Sequence, residues 1–160
     1  MVEVERVGEL VSEAERLGMK AMAITDLCNM FGAVNFHDAC RERGVKPILG
    51  CEVYMAPGDR RDKEARGMGE ASFHLLLLAQ NMTGYHNLVK LSSIAYREGF
   101  YYKPRIDKEV LRAHSEGLIC TSTCLGGEVP QAFLKHDAKR AKEIAELYLD
   151  IFGPDRFFIE

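Results

Sequence analysis

The stretch Lys46-Pro47-Ile48-Leu49-Gly50-Cys51-Glu52-Val53-Tyr54-Met55 constrains the fold of this chain more than any other. A basic residue and a proline open it, an apolar run follows, and a carboxylate sits near its far end. Continuous apolar residues entered from a turn are the pattern of a parallel strand buried between helices. In α/β folds chemistry gathers beyond the carboxyl ends of such strands, where the loops converge on one crevice. Glu52 is therefore a candidate ligand or base.

The rest of the chain can be placed around that strand. Val4, Val7, Leu10, Val11, Ala14 and Leu17 recur at helical spacing before Gly18, which suits a left-handed cap. Residues 21–26 are a short apolar run closing on Asp26, and residues 31–43 return to helical spacing through Val34, Phe36, Ala39 and Cys40. Residues 57–72 are rich in Gly, Arg, Asp, Lys and Glu and read as a mobile surface loop. A strand follows at 73–79, then a helix that Thr83 can cap, carrying Leu88, Leu91, Ile94 and Ala95. Residues 100–105 form an aromatic and basic loop. Asp107 caps a short helix, residues 117–124 read as a strand with a polar end, and Asp137 caps a long last helix that Gly153-Pro154 stops. This alternation predicts an α/β fold with a mostly parallel sheet and right-handed crossovers, either open or part of a barrel.

Bulk properties narrow the function classes. A formal net charge of −3 gives no global attraction to nucleic acid, so any DNA contact has to use a local patch. The longest apolar run, 75–79, is far short of the roughly 20 residues that span a bilayer, and the acidic start Met1-Val2-Glu3-Val4-Glu5 does not read as a signal peptide. Five cysteines, an odd number with no CxxC pair, suit reduced thiols in a cytoplasm. Both ends look cut, and the chain reads as a fragment.

Glu52, His74 and Cys124 are the constellation best suited to chemistry. They lie on different strands or their flanks and offer oxygen, nitrogen and sulfur, and three protein ligands with a vacant fourth position are how zinc is held when it activates water. Each also has a plain reading: a strand-end acid facing solvent, a hydrogen-bonded histidine under the loop, and a small core thiol. His74 poses a geometric difficulty, because it opens its apolar run whereas a crevice ligand belongs at a strand's carboxyl end. Either the strand begins later, or the preceding loop folds over the crevice. Asp26 is a metal ligand, an acid supporting one, or the cap of the helix near Phe31. His37, His86, His114 and His136 read as surface residues, and Cys28, Cys40, Cys51 and Cys120 as buried or half-buried thiols. Tyr101, Tyr102, Lys103 and Arg105 combine rings with cations, as single-stranded nucleic acid favours, although an aromatic plug closing the fold is the preferred reading. Gly126 and Gly127 can expose amides to an anion or simply make a tight turn.

Several stretches together resemble the polymerase-and-histidinol-phosphatase (PHP) domain of bacterial DNA polymerase III alpha subunits, of the replicative type with no inserted exonuclease. They are Leu17-Gly18-Met19, Ala23-Ile24-Thr25-Asp26, Asn29-Met30-Phe31-Gly32, the run from Gly44 through Tyr54, His74-Leu75, Gly84-Tyr85 with Asn87-Leu88-Val89-Lys90-Leu91, residues 99–107 and Cys124-Leu125-Gly126-Gly127-Glu128. The resemblance implies a partial (βα)7 barrel: about five mostly parallel strands with crossover helices, lacking the first and last barrel strands. The sheet is then open, with residues 21–26 along one edge and 157–160 along the other, the former inviting pairing with another chain.

The resemblance also implies metals at the carboxyl ends of the strands, with Glu52, His74 and Cys124 on ligand positions for zinc or manganese. The departures matter as much. A first motif with two histidines would lie before Met1, and a last motif with an acid and a histidine would lie after Glu160. Leu27 stands where the family has a metal-binding histidine, and Cys28 where it has a glycine. Leucine has no lone pair to donate, so the implied centre is partial, holding metal weakly and less so as pH falls. The implied role is a structural and docking module of a replicative polymerase. Its implied partners are the proofreading exonuclease subunit, other replicase subunits and, through the parent chain, DNA, with polymerase magnesium bound elsewhere. The alternative is a metal-dependent phosphoesterase, a 3′-5′ exonuclease or a pyrophosphatase.

Overall fold

A computed structural model of the chain describes residues 5–64 and 72–160. The elements run α1 (Glu5–Arg16), β1 (Ala21–Leu27), α2 (Ala33–Glu42), β2 (Lys46–Met55), β3 (Phe73–Ala79), α3 (Met82–Arg97), β4 (Arg105–Ile106), α4 (Lys108–Ala113), β5 (Leu118–Thr121), α5 (Glu128–Leu134), α6 (Ala138–Phe152) and β6 (Phe157–Phe158). Among the described residues the strands form one open six-stranded sheet in the order β1-β2-β3-β5-β6, with β4 paired to β2 beyond the end of β1. This is the mixed α/β sheet expected of a partial barrel, with β1 and β6 at its edges. The aromatic and basic loop ends in a sixth strand that the sequence did not announce: β4 is two residues long, too short for any periodicity.

Five strands run one way and β3 runs against both of its neighbours. A parallel return to the sheet needs a crossover, commonly a helix. The stretch between β2 and β3 carries no helical apolar pattern in its sequence, and the chain comes back alongside β2 in the opposite sense. The sheet is mostly parallel, as the sequence predicts, with β3 as its one antiparallel strand among the described residues.

Pairing register fixes which side chains share a face. Cys51, Val53, Met55, Leu75, Leu77, Leu118, Cys120 and Phe157 point to one side and are buried against α3, α4, α5 and α6, where Leu88, Leu91, Leu111, Val129, Ile144, Tyr148 and Phe152 meet them. A second cluster joins α1 and α2 to β1 and β2 through Val11, Phe36, Cys40, Met22, Ile24 and Leu49 on that same side. The fully buried Val, Leu, Ile, Phe and Met side chains among them contribute roughly 1.5–3 kcal/mol each, while Met22, Ile24 and Leu49 are partly buried. The opposite face, carrying Thr25, Leu27, Glu52, His74, Leu76, Leu78, Thr121 and Phe158, is half-buried to exposed.

Caps and buried ion pairs position the helices. Asp107 and Asp137 accept from the amides of Val110 and Arg140 at 3.1 and 2.8 Å, as their spacing predicts. The cap of α3 is Asn81 rather than Thr83, since the Asn81 side chain accepts the Gly84 amide at 3.0 Å. Buried Glu128 accepts from Lys108 at 2.7 Å and from the Tyr148 hydroxyl at 3.0 Å, which ties α4, α5 and α6 together. Residues 57–64 form no helix or strand, but one of their side chains anchors them to the fold. Arg60 is buried, and its guanidinium meets Asp107 at 2.9 Å, Glu98 at 2.8 Å and Glu109 at 3.2 Å. The rest of the expected mobile loop, 65–71, lies outside the described residues.

Gly84 allows the start of α3 to lie against the turn before β5. A Cβ there would fall 1.9 Å from the carbonyl oxygen of Gly117, a residue held at φ +69°. Gly84→Ala is expected to lower the unfolding free energy by about 1–3 kcal/mol through overpacking. Urea unfolding measures this, and a midpoint equal to that of the parent chain would contradict the close approach.

Candidate metal centre

The antiparallel course of β3 resolves the difficulty with His74. Because β3 runs backwards, its first residues lie beside the last residues of the parallel strands, and His74 pairs in register with Tyr54, two residues beyond Glu52. Alternation along β2 puts Glu52 and Tyr54 on the half-open face, and His74 shares it. The His74 Nδ1 and Glu52 Oε1 are in hydrogen-bonding contact.

Cys124 arrives from the turn between β5 and α5. That turn passes through Thr123 at φ 55° and is drawn onto β3 by the His74 amide, which donates to the Gly126 carbonyl at 2.9 Å. A Cβ at Gly126 would stand 3.3 Å from the His74 ring and 3.6 Å from Cys124 Sγ, so the absent side chain is what lets the turn close over the imidazole. The amides of Gly126 and Gly127 both donate to Cys124, one to its sulfur at 3.4 Å and one to its carbonyl at 2.9 Å. They serve the turn and are not presented to an anion.

One oxygen, one nitrogen and one sulfur from Glu52, His74 and Cys124 therefore lie within 4.8 Å of one another. Zinc bonds these donor types at about 2.0–2.3 Å, so small side-chain rotations bring all three onto one ion. The mixed donor set suits a borderline-soft cation. The residues fit the group.

Other candidates fall elsewhere. Asp26 pairs in register with core-facing Cys51, and its carboxylate accepts the Gly32 amide at 3.0 Å at the entry to α2. It is on the helix side of the sheet and outside the cluster, because alternation turns it away from the face that Glu52 occupies. Leu27 is in register with Glu52 and shares its face, with 47% of its surface exposed. Cys28 follows at φ 59°, its amide donating to the Glu52 carbonyl at 2.8 Å. Burial pushes the Cys28 and Cys51 thiols up to about 12, with the neighbouring thiol and Glu52 adding to the rise at Cys28 and the Lys103 ammonium opposing it. Cys120 is raised further by burial alone. These thiols stay neutral, and Cys124 is the exposed one.

The aromatic loop divides into two roles. Arg105 is buried, and its guanidinium donates to the carbonyls of Gly99, Arg60 and Asp62 at 3.1, 3.1 and 2.7 Å while lying 5.0 Å from the Tyr101 ring. Its guanidinium is committed to backbone carbonyls inside the fold. Tyr102 is exposed at φ 57°, edge-on to Tyr101. Lys103 sets its ammonium 4.1 Å above the Tyr54 ring, and Tyr54 in turn meets the His74 ring edge-on at 5.0 Å. Sequence reasoning missed this column, since nothing local links Lys103 to a tyrosine on another strand.

Comparison with known proteins now decides the kinship: the PHP domain family matches residues 4–160. The chain belongs to the PHP domain family. This PHP domain is 50% identical over 151 residues to the DNA polymerase III subunit alpha of Treponema pallidum, covering 94% of this chain and 13% of that protein. It is 52% identical over 141 residues to the corresponding subunit of Thermus aquaticus, covering 88% and 12%. The chain thus spans about an eighth of the curated relatives it matches. A solved structure assigned to a metal-dependent phosphoesterase of Bifidobacterium adolescentis aligns at 21% identity with a TM-score of 0.39, over 56% of this PHP domain and 27% of that chain. Among the described residues no helix is long and apolar enough to cross a membrane.

Proposed function

We propose that this PHP domain is the amino-terminal module of a cytoplasmic bacterial replicative DNA polymerase, and that within it the domain is a structural and docking element with a reduced metal centre. The parent chain would copy DNA with magnesium held outside these residues, and the module would help seat the proofreading exonuclease subunit among the replicase subunits. One observation carries the reduced-centre reading: Leu27, a side chain with no donor atom, is in register with Glu52 on the same face, at the position where the resemblance implies a histidine ligand.

A second reading is favoured by the convergence of Glu52, His74 and Cys124. In it the domain is a metal-dependent phosphoesterase, a 3′-5′ exonuclease or a pyrophosphatase. The three side chains would hold one zinc or manganese ion, which when bound supplies Lewis acidity and an activated water. His74, hydrogen-bonded to Glu52, would be kept in one orientation by that contact.

Metal analysis and an exonuclease assay on the full-length parent protein separate the two. The docking reading expects at most one weakly held ion per chain and no turnover attributable to this domain. Zinc- or manganese-dependent removal of 3′ nucleotides that disappears in Glu52→Ala would overturn it.

A further inference from the structure

We propose that Lys103 is the anion-contacting residue of the Glu52, His74 and Cys124 centre, and that the ligand it meets there is a phosphate group. The inference rests on the reading that these three donors hold a metal ion.

The loop around Lys103 is built to aim it. The Tyr101 amide donates to the Lys103 carbonyl at 3.0 Å, closing a three-residue turn with Tyr102 in the left-handed region at φ 57°. A non-glycine residue held there costs of order 1–3 kcal/mol and persists only where surrounding contacts enforce it. Here the Tyr101 ring is fixed between Tyr102 at 4.5 Å and the Arg105 guanidinium at 5.0 Å. The result is an ammonium on the face of buried Tyr54, one ring removed from the imidazole of His74.

Neighbouring cations are already engaged. Arg60 faces Asp107, Glu98 and Glu109, Lys108 faces Glu128, and Arg105 faces backbone carbonyls. Among the described residues no carboxylate pairs with Lys103, whose ammonium lies over the Tyr54 ring and acts on the neutral Cys28 thiol. A cation–π contact is worth about 0.5–2 kcal/mol, less than a charge-assisted hydrogen bond to phosphate, so an arriving phosphate can draw the flexible side chain off the ring. The amides of Gly126 and Gly127, the other anion donors near the centre, are committed to Cys124. Lys103 is left as the group that would recognise negative charge on a ligand at the three donors.

The test uses the full-length protein that carries this chain, with cobalt(II) as a coloured stand-in for zinc. Charge-transfer absorption from a Cys124 thiolate reports cobalt at this site and should vanish in Cys124→Ser. Inorganic phosphate titrated into the cobalt form is expected to shift the visible bands. In Lys103→Met, which keeps the stem over Tyr54, phosphate affinity should fall about tenfold, or 1.4 kcal/mol, with cobalt affinity unchanged, and Lys103→Arg should recover most of the loss. An oligonucleotide bearing a 3′-phosphate, run beside its unphosphorylated form, tells polymer-borne phosphate from free phosphate, and either source supports the proposal if Lys103 controls it. Equal phosphate response in the parent and in Lys103→Met, no response in either, or a fall in melting temperature without a fall in phosphate affinity overturns it. If the parent shows no thiolate–cobalt band, the metal reading itself fails and takes this inference with it.

Discussion

Leu27→His is expected to raise zinc affinity at least tenfold, and about a hundredfold if the imidazole completes the coordination shell, since even a supporting partner of a ligand is commonly worth ten- to a hundredfold. Leu27 is the last residue of β1, in register with Glu52 and on the same face, and its surroundings are open enough to leave nearly half of it exposed. Leu27 belongs to neither core cluster, so an imidazole there adds a donor without opening a cavity in the core. Competition against a chromophoric chelator, above the pH at which histidine is protonated, gives the affinity directly. Leu27→Phe, bulky but without a donor, is the control and should leave affinity where it was. Equal affinity in Leu27→His and the parent would mean that position 27 does not face the centre, and the reading of a centre reduced by that leucine would fall.

What the sequence disclosed follows from what periodicity can carry. The apolar run of β2, the helical spacing of α1, α2, α3 and α6, and the caps Asp107 and Asp137 depend on residues close together in the chain, and all are where the pattern puts them. The three donors could be nominated because their residue types match a metal's chemistry, although nothing local says that they meet. Strand direction is another matter. The direction of β3 is decided by how the chain returns from β2, so His74 looked misplaced until the pairing was known. The same holds for Leu27 and Asp26, adjacent residues that alternation sends to opposite faces: only the register with Glu52 and Cys51 says which of them borders the centre. Arg60 was invisible for a different reason. Its surroundings in sequence are polar and loop-like, and the carboxylate that buries it is 47 residues away.

That ion pair is where the largest loss of stability is expected. Asp107→Ala should destabilise the domain by about 3–5 kcal/mol, the range for removing one partner of a buried salt bridge and leaving the other charge unpaired. The Asp107 carboxylate accepts from the Arg60 amide at 3.0 Å, from the Arg60 guanidinium at 2.9 Å and from the Val110 amide at 3.1 Å, so its removal also uncaps α4. Burial by itself would raise the Asp107 pKa, but the two amides and the guanidinium outweigh it and hold the carboxyl below its ordinary value. A carboxyl depressed in the folded state stabilises fully above its unfolded pKa, and that contribution is lost as pH falls through the folded value. The parent chain should therefore lose stability as pH drops below about 4, and the fall over that window should be shallower in Asp107→Ala. Urea unfolding at a series of pH values measures both effects. If the two chains lose stability in parallel on acidification, the carboxylate is not held by Arg60 in solution, and the anchoring of residues 57–64 onto α3 and α4 has to be explained by other contacts.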